Sequence, residues 1–419
     1  MDLMREERPF QHTVNHCDSK CLVNKSLMWI IDSVFYRNYL ELSAGRSAGR
    51  CVQKAAAHAI QQLPRRGAEA FAHGLSLPLE IHMDDARPQA LSRMGETVET
   101  AEARSARRRG VSRGYHSNHL PEEVIRQLKA LEKTSLAGSI TDCVVYFGTI
   151  VLAAAICVTL WRVSPVLGAL AYGLVLIVIA RQQRAIELMV HDASHWSWDR
   201  DNKVRNDRVA DCCVGFPVMS TTGAYRKSHF IHHGTFAGEQ DPCKRRFASM
   251  GLGHLDLSTK WAITRSVLRW LPAYNVAYYT EIGSKTWMML AQWLAWHLSF
   301  FILPLGLIFG LAQGTLYWAL FWLIPMLSTL PVLRSIAEAE EHDYERGDTE
   351  FDATFTNNGW IHHLLWHPWN DAYHQVHHLY PNISQRQHHK VHKLLLKHDE
   401  KYRNGPIRTR TLQQIPLQH

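Results

Sequence analysis

Four apolar stretches, Thr141–Trp161, Val166–Ala180, Thr286–Leu311 and Leu316–Ile336, constrain this chain more than any other feature of it. A hydrocarbon core of ~30 Å takes about 20 helical residues, and it admits only structures that satisfy their own backbone. Arg162 to Pro165 separates the first two stretches, and Ala312-Gln313-Gly314-Thr315 the last two, so each pair reads as a tight hairpin. The expectation is an all-α integral membrane protein with four transmembrane helices in two hairpins. Two hairpins return the chain to its starting side each time. The N-terminal third, the loop 181–285 and the C-terminal region then share one face as a helical cap. The far-side turns carry only Arg162, so the positive-inside rule puts the cap and both termini in the cytoplasm.

Residues 1–137 hold no stretch of spanning length and read as an N-terminal region, largely disordered or amphipathic. Leu27 to Leu42 suits an amphipathic helix, and Arg104, Arg107, Arg108, Arg109 and Arg113 suit either anionic headgroups or a solvated tail. Residues 138–400 form the membrane domain and 401–419 a C-terminal tail. The net charge of +8 comes from scattered Lys and Arg, with no recognition helix or aromatic RNA-binding pattern, which argues against nucleic acid. Among eight cysteines, Cys212 and Cys213 are adjacent and Cys143 and Cys157 lie in an apolar run, a reduced set rather than a secreted disulfide framework. His16-Cys17 with Cys21 is too short a cluster to argue a metal.

The 26 histidines are the side chains that need explaining. Residues three or four apart share a helix face, so His191 and His195 point together, as do His229, His232 and His233, and again His374, His377 and His378. The expected topology brings all three clusters to one membrane face, where they surround metal. Imidazole suits Zn, Cu, Fe or Ni, but a closed zinc site takes four ligands. Eight histidines, with His342 a further candidate, point to two ions. Asp192 and Asp241 are placed to accept the second N–H of ligating imidazoles. A metalloprotease would need His-Glu-x-x-His, and Asp192 stands where that glutamate would be.

The spacings HxxxH, HxxHH and HxxHH around two apolar hairpins resemble the membrane-bound fatty acid desaturase superfamily, with its related hydroxylases and ketolases. His191 to His195, His229 to His233 with Gly238 to Pro242, and His374 to Pro381 carry the likeness, over residues 141–393. The resemblance implies a non-haem di-iron centre that uses O₂ as co-substrate to abstract hydrogen from an unactivated C–H bond of a lipid or acyl substrate. It further implies a separate electron donor such as ferredoxin or a small haem protein, since no haem, flavin or ferredoxin-type cysteine motif is recognisable in this chain. The family often sets a further ligand after Arg-x-x-x-Glu. Arg334 and Glu338 fit that pattern, Ala339 follows them, and His342 is the nearest histidine.

Desaturation of an acyl-lipid or carrier-linked acyl chain is the leading expectation, with hydroxylation or ketolation its close alternative. A non-catalytic membrane metal-binding protein, or a membrane zinc hydrolase using Glu338 or Glu341, are readings from other classes. His362, His363 and His367, among Trp360, Trp366 and Trp369, read as an interfacial belt. His388, His389 and His392 read as solvated residues of a surface helix, and His254 and His297 receive no role.

Overall fold

A computed structural model describes residues 114–249, 259–281 and 287–411. The expectations for Leu27 to Leu42, for the 104–113 arginines, for His16 to Cys21 and for His254 lie outside the described residues. The described chain is mostly helical. It begins with α1 (Glu122–Leu131), opened by Pro121 and by Glu122 and Glu123 in the first turn, where acids suit the positive end of the dipole.

Four helices are long and apolar enough to cross a membrane: α2 (Leu136–Val163), α3 (Pro165–Ser194) and two further on. The Ser135 side chain caps α2 by accepting from the Gly138 N–H, and Pro165 opens α3 after one extended residue, Ser164. Gly168 of α3 lies so close to α2 that a Cβ there would meet the Trp161 backbone at 2.6 Å. The helix runs on past Arg181, where its apolar stretch ends, as a polar continuation that carries His191.

Between the two pairs of long helices lie α4 (Lys203–Ala210), α5 (Thr222–Gly234), α6 (Pro242–Ser249) and α7 (Lys260–Glu281). The third and fourth long helices are α8 (Trp287–Phe309) and α9 (Leu311–Glu341). The turn between them falls at Gly310, not at the expected 312–315. Gly310 has a φ of +87°, which only glycine adopts without strain, and the Thr315 hydroxyl already donates back to the Leu311 carbonyl inside α9. Gly314 packs on Gly306, where a Cβ would meet the Gly306 nitrogen at 2.5 Å.

The C-terminal part comprises α10 (Glu350–Ala353), α11 (His374–Leu379), α12 (His388–His398) and α13 (Glu400–Arg403). Strands β1 (Thr356–Asn357) and β2 (Ile407–Arg408) pair in parallel, Thr356 opposite Ile407. A buried apolar cluster joins Tyr115, Leu120, Val124 and Leu128 to Val376 and Leu379 of α11 and to Val391 and Leu395 of α12. Residues 115–131 and Tyr402, sequence neighbours of the expected domain edges, thus help fix the helix of the third histidine cluster.

Candidate metal centre

Three helices end at one place. His191 lies in the last turn of α3 and His195 just beyond it, His232 and His233 are in the last turn of α5, and His377 and His378 in the last turn of α11. Each helix presents the negative end of its dipole there, which favours a bound cation.

The imidazoles divide into two connected clusters. In the first, the Nε2 atoms of His191 and His377 are 2.9 Å apart, those of His195 and His229 2.9 Å, and His233 stands 3.0 Å from both His229 and His377. His229 and His377 are themselves 3.3 Å apart. A ring nitrogen has one proton to give or one lone pair to receive it, yet the Nε2 of His229 and of His377 each face three others. Hydrogen bonding cannot satisfy that arrangement. A cation can, because imidazoles held about 2.0–2.1 Å from one ion lie about 3.3 Å from each other in a tetrahedral set.

The second cluster holds His232 Nε2 at 3.3 Å from His378 Nε2, and His342 Nε2 at 3.2 Å from His374 Nε2. The His342 ring lies 5.0 Å from that of His232 and 4.8 Å from that of His378. His233 links the two groups, its ring 4.9 Å from His377 and 4.5 Å from His378. The structure therefore brings all nine expected histidines together, His342 among them. Helix α9 ends at Glu341, and His342 leaves it in an extended conformation bridged to Thr354.

Burial, before any other influence, holds His195, His229, His342, His374, His377 and His378 well below the ordinary histidine range. These rings are neutral at pH 7, which is the ligating form. His232 differs: burial opposes its charge, but Cys243 and Asp241 draw it up.

Oxygen acceptors stand behind the Nδ1 atoms of the second cluster, the side that must carry the proton if Nε2 binds a metal. Asp241 faces His232 at 2.9 Å and Thr354 faces His342 at 3.2 Å. One Glu350 oxygen lies 3.6 Å from His378 Nδ1 and 3.7 Å from His233 Nδ1. Asp371 stands 3.9 Å from His374 Nδ1. Asp241 thus faces an imidazole nitrogen, whereas Asp192 has other partners. Its carboxylate accepts from the Ser197 hydroxyl, from the Ser384 hydroxyl at 3.0 Å and from the Gln385 N–H at 2.9 Å. Asp192 ties α3 to the segment after the third cluster because Ser384 and Gln385, not an imidazole, reach it.

A layer of buried charge adjoins the histidines, and the sequence reading missed it. Arg184 lies 3.2 Å from Glu341 and 3.4 Å from Asp371, and Arg334 donates to Glu187 at 2.6 Å. Arg246 bridges Glu281 at 3.0 Å and Glu338 at 2.9 Å, and the Tyr274 hydroxyl donates to Glu338 at 2.7 Å. The expected belt histidines belong to the same layer. His362 and His367 are fully buried, each 3.4 Å from Glu340, and His367 also contacts Asp371 at 3.1 Å. Only His363 of that group stays half-buried. His388 and His392, expected in solvent, are buried too, held by the Ile383 carbonyl and the Tyr402 hydroxyl, each at 2.9 Å. His297 faces the Pro217 carbonyl at 3.2 Å and accepts from the Trp318 indole.

A mostly helical chain with four long apolar helices and nine clustered imidazoles that could hold metal is the class the fold and site define. Residues 164–411 match the fatty acid desaturase family model, and the chain belongs to that family. It is also similar to the dihydrorhizobitoxine desaturase of Bradyrhizobium elkanii, 24% identical over 303 residues that cover 68% of this chain and 82% of the relative.

Proposed function

We propose that this protein is an O₂-dependent membrane di-iron desaturase, which introduces a C=C bond into its substrate. One observation carries the reading: nine imidazole nitrogens converge in two clusters joined through His233, more donors and contacts than one ion or hydrogen bonding can use. His191, His195, His229, His233 and His377 would hold one iron, and His232, His342, His374 and His378 the other. Two irons so held supply the activation of O₂ and the removal of hydrogen from unactivated carbon.

The chain's own residues do the rest. Neutral imidazoles would bind the ions without cancelling their charge. Asp241 and Thr354 fix the His232 and His342 rings, Glu350 and Asp371 set negative charge within 4 Å of His378, His233 and His374, and the buried helix ends keep water away. In the reaction two C–H bonds on adjacent carbons break and a C=C bond forms. O₂ is reduced to two waters, with two protons and with two electrons from an external carrier, a ferredoxin or a small haem protein. Family membership supports an acyl-lipid or carrier-linked acyl substrate. Hydroxylation is the alternative outcome of the same site.

We further infer two hairpins, α2 with α3 and α8 with α9, which place the cap and both ends of the chain in the cytoplasm; a C-terminal tag reached from outside sealed cells would contradict this sidedness. The activity is tested by incubating iron-loaded protein with a reduced carrier and O₂ and reading products by mass spectrometry. Loss of two hydrogens supports desaturation, gain of one oxygen supports hydroxylation, and no O₂-dependent product overturns both.

A further inference from the structure

The carboxylates around the second cluster do not all stand on the same side of its rings. Asp241, Glu350 and Asp371 face the Nδ1 atoms of His232, His378 and His374. Glu341 faces the other side: its Oε2 lies 3.7 Å from the Nε2 of His374. That nitrogen already meets the Nε2 of His342 at 3.2 Å. One donor atom from each of Glu341, His342 and His374 lies within 4.8 Å of the other two. The three residues also line, with His232, one cavity of about 40 Å³. About 10–15 Å³ holds one water, so the space admits an ion.

A hydrogen bond does not explain this approach, since 3.7 Å is too long for one. A shared ion does. Donors about 2.0–2.2 Å from one ion stand about 3 Å apart at right angles and about 4 Å apart when opposite. The two separations at His374 Nε2, 3.2 and 3.7 Å, fall in that range.

The chain holds the carboxylate there. Glu341 is the last residue of α9 and directly precedes His342. Arg184 donates to its Oε1 at 3.2 Å, which anchors one oxygen and leaves the other beside His374. Arg184 is itself shared among Glu341, Asp371 and Glu187, at 3.2, 3.4 and 3.8 Å. One guanidinium among three buried carboxylates leaves negative charge that a cation at His342 and His374 offsets.

We propose that Glu341 is a further metal ligand, its Oε2 completing the second centre as an anionic donor. The proposal rests on the di-iron reading and adds to the donor set of that site. The first centre then has five imidazoles, and the second has four and a carboxylate. The two ions sit in unlike fields, and imidazole with carboxylate is a donor set that suits non-haem iron.

The test compares the parent, Glu341→Gln, His342→Ala and the double variant as full-length, iron-loaded protein purified in detergent. Iron per chain, chelator competition and Mössbauer spectra are read on each. The expected parent holds two irons in two distinguishable environments. Glu341→Gln retains the second iron at least about 10-fold more weakly and shifts its spectrum, while the first iron is unchanged. In His342→Ala, which keeps the first iron alone, adding Glu341→Gln alters neither retention nor spectrum. A Glu341→Gln protein with the parent's retention and spectrum overturns the proposal, as does equal weakening of both irons or a further loss of the first iron in the double variant. Should Glu341→Gln not be recovered folded, Glu341→Asp decides by the same readings, because it keeps the charge and shortens the reach. A parent without two irons defeats the di-iron reading itself, and this inference with it.

Discussion

The two histidine clusters are built differently. The first draws His191, His195, His229, His233 and His377 from all three sequence motifs, and its geometry follows from helix periodicity at three converging helix ends. The second adds His342 from outside the motifs, with Asp241, Thr354 and Asp371 lying 9, 12 and 3 residues from the imidazoles they face and Glu350 28 residues from His378. The repeated spacing supplies every histidine of the first cluster, while the second also takes His342, Thr354 and Glu350, which lie outside the motifs.

Substitutions break this comparison in a graded way. His377→Ala, at the middle of the first cluster, should abolish activity and release the first ion, seen as metal content per chain falling by half or more. His342→Ala should remove the second ion and leave the first, because no His342 contact reaches His191 or His195. Glu350→Gln touches one ligand of each cluster and should weaken retention of both ions by about 10–100-fold, measured by chelator competition, with Glu350→Asp giving partial recovery. Asp241→Asn should weaken the second ion alone, by up to a similar factor. Asp192→Asn should leave metal content unchanged and cost about 1–3 kcal/mol of stability, read in a detergent unfolding curve, since its partners are Ser197, Ser384 and Gln385.

A pH effect sharpens the contrast from the buried charge layer. Burial opposes protonation of His367, but Asp371 and Glu340 carry its pKa up from 6.5 to about 9. A pKa raised on folding stabilises most below the unfolded value, so this contribution is complete below about 6.5 and lost as pH rises through about 9. The unfolding temperature of the parent should fall across that window, and His367→Asn should flatten the fall.

The sequence disclosed the apolar helices and eight of the nine histidines because both signals are local, one of length and one of helix spacing. His342 was harder to place, since helix spacing after Glu338 points into α9 and the chain instead leaves the helix at His342. Glu350 was illegible: its two imidazoles lie 117 and 28 residues away in the chain, and nothing around Thr349 to Ala353 resembles a motif. The tryptophans beside His362 and His367 drew the eye to a membrane interface, while Glu340 and Asp371 decided their burial. For His388 and His392 the signal was present. Positions 388, 391, 392 and 395 repeat as one helix face and are all buried, so the lysines between them mark only the opposite side.

Iron stoichiometry with Mössbauer spectroscopy on detergent-purified parent, beside His377→Ala and His342→Ala, tests the two-centre claim most directly. The account predicts two irons per chain in the parent, and His342→Ala retaining about one iron in the environment of the first cluster. A single zinc per chain, or no bound iron under iron-replete expression, would contradict it.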